Sequence, residues 1–156
     1  MTPKTKLQEL FAHAADSARN MFLDSGEVLP MWHAVTKDGE NMLIATPWNS
    51  DEEKHFAERG LRQMFQVHGV QRYVFISEVW MAQARSFEEV NTGPRPSEHP
   101  DRREALFLAA EDRAGNAISG HFFILRPEHG KPTLSPLHMD DFDGKVGRFT
   151  GMLSNG

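Results

Sequence analysis

The stretch Arg72-Tyr73-Val74-Phe75-Ile76-Ser77-Glu78-Val79-Trp80-Met81-Ala82-Gln83-Ala84 decides how the rest of the chain is read. Side chains along a strand alternate between two faces. Here Val74, Ile76, Glu78, Trp80 and Ala82 point one way, and Tyr73, Phe75, Ser77, Val79 and Met81 the other. Both sets are mostly apolar, which marks a strand in the middle of a sheet whose two faces are both covered.

Working outward, residues 3–23 place Leu7, Leu10, Phe11, Ala14, Ala18, Met21 and Phe22 at helical spacing. Thr2 and Pro3 suit the start of this helix and Ser25-Gly26 its end. Residues 28–48 read as a hairpin around Asp38-Gly39, a strong two-residue turn signal. That loop pairs Val35 with Met42 and His33 with Ile44, and puts Trp32, Ala34, Leu43 and Ala45 on one face. A second helix is expected over 50–68, opened by Ser50 with Glu53 and carrying a stripe of Phe56, Gly60, Met64 and Val67, widened by Leu61 and Phe65. Residues 103–112 and 117–126 form another hairpin, read with Leu108 opposite His121 and Phe107 opposite Phe122. Thr133–Met139 holds a short edge strand.

The chain of 156 residues is thus expected to be one α+β domain spanning 1–156, in the order α-β-β-α-β-β-β. Its architecture is a two-layer one, a mostly antiparallel sheet of about five strands with both helices on one face. This order resembles that of profilin-like and roadblock-like domains in topology alone, with no shared motif. Residues 86–102 make a long Pro/Gly loop, and 127–156 an irregular C-terminal segment. Helices on one face would leave large apolar side chains on the other in water, at about 1.5–3 kcal/mol each. The Pro-rich loop, the C-terminal segment or a second copy of the chain is expected to cover them.

Composition narrows the function classes. Seventeen basic against 22 acidic residues give a net charge of −5, with no basic arm, which disfavours nucleic acid as a partner. Cysteine is absent, so disulfides and thiolate chemistry are excluded. No apolar run is long enough to span a membrane, and no apolar leader opens the chain, so the cytosol is the default location.

The candidate site residues follow from chemistry that sits where apolar residues are expected. Glu78, between Ile76 and Trp80, is a candidate acid/base or metal ligand, or else the partner of an arginine. Arg102 and Arg103 are candidates for holding an oxyanion or for pairing with Glu78, with Glu104 beside them. His121 and His33 extend the set, but no metal-ligand spacing such as H-x-H or H-E-x-x-H is present, and no metal or cofactor is implied. Asp140-Asp141-Phe142-Asp143-Gly144 lacks the rest of a calcium loop. Phosphate-binding glycine motifs and a nucleophile elbow are also missing.

Two functions are consistent with this reading. One is a small interaction module, expected to form a homo-oligomer or meet a protein partner through an apolar sheet face. The other is a small enzyme or ligand-binding protein with a site at Glu78 and the Arg102–Glu104 turn, under residues 86–100.

Overall fold

The computed structural model describes residues 5–48, 50–82, 98, 100–140 and 152–153. Helix α1 runs over Lys6–Ser25 and α2 over Asp51–Val67. The strands are β1 Met31–Thr36, β2 Asn41–Ala45, β3 Val70–Met81, β4 Arg103–Asp112, β5 Ala117–Leu125, β6 Thr133–Leu134 and β7 His138–Met139. They join in one antiparallel sheet in the order β2-β1-β3-β4-β5-β6, with β7 also paired to β5. The α+β class and antiparallel sheet are as expected. Among the described residues seven strands stand where about five were expected, because the Thr133–Met139 stretch supplies two short ones.

Helix α1 starts one turn later than Thr2-Pro3 suggests. Thr5 is the cap: its hydroxyl accepts from the Gln8 N–H, and the Gln8 side chain accepts from the Thr5 N–H. Gly26 ends the helix in the left-handed conformation at φ 83°, its N–H returning to the Phe22 carbonyl. Ser50 caps α2 as expected, accepting from the Glu53 N–H at 3.1 Å.

Strand β3 is central, flanked by β1 and β4. On the first face, Val74 and Ile76 join Val35, Leu106, Leu108, Phe122 and Ile124 beneath Leu7, Phe11, Ala14 and Phe22 of α1. Gly120 permits the close approach of α1 and β7 here. An added Cβ would meet the His138 carbonyl oxygen at 2.9 Å and the Phe11 ring at 3.2 Å.

On the second face, Trp32, Tyr73 and Phe75 pack with Leu61 and Phe65 of α2 and with Met152 and Leu153. Trp32 is fully buried, its ring 4.4 Å from that of Phe75, and its indole N–H donates to the Thr46 hydroxyl. The two helices therefore take different faces of the sheet. The stripe expected on α2 also turns outward: Phe56 is 80% and Val67 74% exposed, and only Leu61 and Phe65 are buried. Helix α1 and the sheet are the two main layers, and α2 caps one end of the far side.

Part of the covering of the second face comes from the C-terminal segment. Arg113 fixes it, donating from Nε to the Val70 carbonyl at 2.7 Å and from Nη1 to the Leu153 carbonyl at 3.2 Å. Among the described residues no helix is long and apolar enough to cross a membrane.

Both hairpins differ from the sequence reading by one residue. Thr36 and Glu40 close a three-residue loop, and Asp112 and Asn116 close another. The last loop residues, Gly39 and Gly115, take φ of 81° and 90°. A two-residue type I′ turn needs positive φ at both centres. No non-glycine residue among those described has it, Asp38 included. The partners shift accordingly: His33 faces Leu43, Phe107 faces His121 and Leu106 faces Phe122.

A candidate binding cleft between helix α1 and the first hairpin

Helix α1 lies over β3, β4, β5 and β6. The β1–β2 hairpin extends beyond it, and a cleft of about 700 Å³ opens between the two. That volume lies within the roughly 300–1,000 Å³ of small-molecule sites. Its apolar lining includes Leu10, Ala14 and Met21 of α1, Met31 and Val35 of β1, and Ile76 of β3. Its polar lining is Lys6, Glu9, His13 and Ser17 of α1, His33 of β1, Asn41 of β2 and Arg72 of β3.

Strand alternation puts Arg72 there. It shares the first face with Val74 and Ile76, two and four residues on, so its side chain enters between helix and sheet. Its Nε is buried and has no hydrogen-bond partner. An orphaned buried donor forfeits about 1–3 kcal/mol. His13 and His33 meet across the cleft, ring centroids 5.7 Å apart and nearly perpendicular. The Asn41 amide oxygen accepts from His33 Nε2 at 2.8 Å.

The residues singled out from sequence are divided by the sheet. Glu78 lies directly opposite Leu106, so it and Glu104 are on the α1 face. Arg103 and His121 are on the other face. The Glu78 carboxylate accepts the Val28 backbone N–H at 2.7 Å. Glu104 holds Arg126 through two contacts, at 2.5 and 3.1 Å, and that hydrogen bonding raises the Arg126 pKa above its ordinary value. The Arg102 guanidinium stacks over Trp80 at 5.0 Å, and that of Arg103 over Phe123 at 3.7 Å. Residues 86–100, expected above that site, lie outside the described residues except for Glu98 and Pro100.

His121 does meet a carboxylate, though not Glu78 or Glu104. Its Nδ1 donates to Asp140 Oδ1 at 2.8 Å, and its ring stacks on that of His138. The Asp140 carboxylate is only 6% exposed, and its second oxygen is unpartnered. This contact fastens β7 against β5. Residues 141–144 of the acidic loop lie outside the described residues. Among the described residues no cluster of three His, Asp or Glu is arranged to hold a metal ion.

No family model, curated protein or solved structure matches this chain. The cleft is therefore read from its own chemistry.

Sequence alone marks His33 as a site candidate, but not His13 or Arg72. A signal for Arg72 was present, since an arginine two residues before Val74 sits on the apolar face of the central strand.

Proposed function

We propose that this protein binds a small amphipathic anion in the cleft between α1 and the first hairpin. The ligand has an apolar body and ends in a carboxylate or similar oxyanion. The observation that carries this reading is the buried, unpartnered Arg72 Nε at an otherwise largely apolar wall. Guanidinium groups match oxyanions with two parallel hydrogen bonds, and Arg72 lines the cleft, so an oxyanion seated there meets its guanidinium. Lys6 adds a second cation to the same cleft, and Met21, Met31 and Ile76 offer the surface for an aliphatic body.

Calorimetric titration with octanesulfonate, which keeps its charge at all working pH values, tests this. The wild type is expected to bind saturably, and Arg72→Met to weaken binding by about tenfold or more, since a hydrogen bond to a charged group contributes about 1.5–3 kcal/mol. Octanol, with the same chain and no charge, is expected to bind as weakly to the wild type as octanesulfonate does to Arg72→Met. No saturable binding, or equal affinity in both proteins, overturns the proposal.

A second reading, self-association, draws on Val79, Met81, Phe107 and Phe123, which remain half-exposed on the second face away from α2. Light scattering on the eluting protein tests it, and a strict monomer at high concentration removes it.

A further inference from the structure

We infer that the His13–His33 pair makes ligand binding in this cleft pH-dependent, with the anion held more tightly as the two imidazoles take up protons. The inference rests on the reading of the cleft as an anion site.

Three observations support it. The two rings meet at 5.7 Å on opposite walls of the same cleft, His13 from α1 and His33 from β1. Asn41 accepts from His33 Nε2, so Nδ1 is the nitrogen left to take a proton, and the protonated ring keeps that hydrogen bond. The other charged groups lining the cleft are Lys6 and Glu9 of α1 and Arg72 of β3, and β2 contributes the neutral Asn41 and Leu43. Besides the histidines the cleft thus carries two cations and one carboxylate. A bound oxyanion favours protonated imidazoles beside it, because an opposite charge nearby favours the charged form of a group.

The direction follows from linkage. If the anion favours protonated histidines, protonated histidines favour the anion by the same factor. Binding therefore takes up protons, and affinity rises as pH falls through the ordinary imidazole range. Histidine pairs facing one another are poor anion sites when neutral and good ones when charged, so the cleft releases its ligand toward alkaline pH.

The test is the octanesulfonate titration repeated at about pH 5.5 and about pH 8, on either side of that range. The wild type is expected to bind about fivefold or more tightly at the lower pH. At an intermediate pH, titrations in two buffers of different ionisation enthalpy are expected to show net proton uptake on binding. H13Q/H33Q is expected to bind with equal affinity at both pH values and with no proton uptake. His13 is exposed, so H13Q alone serves if the double variant disturbs the hairpin, and its proton uptake is expected to fall to about half. Equal wild-type affinity at both pH values, or a pH dependence that survives in H13Q/H33Q or, where that variant does not fold, undiminished in H13Q, overturns this inference and leaves the cleft reading in place. Absence of binding at either pH overturns both.

Discussion

Glu78 and Val28 are 50 positions apart in the chain and joined by a 2.7 Å hydrogen bond from the Val28 N–H to the Glu78 carboxylate. Val28 belongs to the core under α1, and it begins the stretch that leads from the helix into β1. The acceptor that secures this turn comes from the central strand. Glu78 thus acts here as a fastening between α1, β1 and β3. Glu78→Ala orphans the Val28 N–H and is expected to lower stability by about 1–3 kcal/mol. Glu78→Gln keeps an acceptor oxygen and is expected to retain most of that. Urea unfolding of the two variants distinguishes them; equal losses would mean that the charge, not the acceptor, matters to the turn.

Tyr73 is the chain's single tyrosine and is buried beneath α2 beside Trp32 and Phe65. Burial first, and then the Glu111 carboxylate directly across the ladder, push its pKa well above the ordinary phenol value. The folded chain therefore keeps a proton that the unfolded chain releases above about pH 10. Stability from this source is fully present below that pH and declines above it, by up to about 1.4 kcal/mol per pH unit. An alkaline titration is expected to show no tyrosinate absorbance until the protein unfolds. Tyr73→Phe is expected to flatten the loss of stability over the same pH range. A tyrosinate signal from the folded protein would contradict the burial.

Phe56 and Phe65 lie on the same helix and exchange the roles that spacing alone suggests. Phe65 is fully buried against Trp32 and Tyr73, whereas Phe56 is 80% exposed. Phe65→Ala is expected to cost about 3–5 kcal/mol, because it removes one of the two buried anchors of α2. Phe56→Ala is expected to change stability by no more than about 0.5 kcal/mol. Thermal denaturation of both variants measures the contrast. A large loss at Phe56 would restore the stripe of Phe56, Met64 and Val67 as the packed face.

The same helix shows where sequence periodicity stops being informative. Leu61 and Phe65 are one turn apart, and so are Phe56 and Gly60, so two apolar stripes compete and only tertiary contact selects between them. The hairpins failed for a different reason. Asp38-Gly39 fits either a two-residue loop or the end of a three-residue one, and the choice moves every partner by one position. Patterning could have resolved the second hairpin. The observed register gathers Leu106, Leu108, Phe122 and Ile124 on one apolar face, while the expected one set His121 opposite Leu108 and Phe122 opposite Phe107. Strand β3 was legible because both its faces are apolar, which fixes its central place whatever its neighbours' register. The cleft was not legible, since it arises from how far β1 and β2 extend past α1, and that depends on the packing angle of the helix.

Arg72 combines a stability penalty with the proposed binding role, and the two can be separated by one substitution. Its Nε is buried without an acceptor, so the empty protein carries the cost of an unsatisfied donor. Methionine matches the length of the arginine stem and carries no donor. Arg72→Met is therefore expected to raise the stability of the ligand-free protein by about 1 kcal/mol, in the same variant that loses affinity for octanesulfonate. Functional sites commonly show this opposition, since groups placed for a ligand are poorly satisfied without one. Urea unfolding in the absence of ligand measures the gain. A loss of stability would mean that the guanidinium already has its partner within the protein, and the main support for an anion site would be gone.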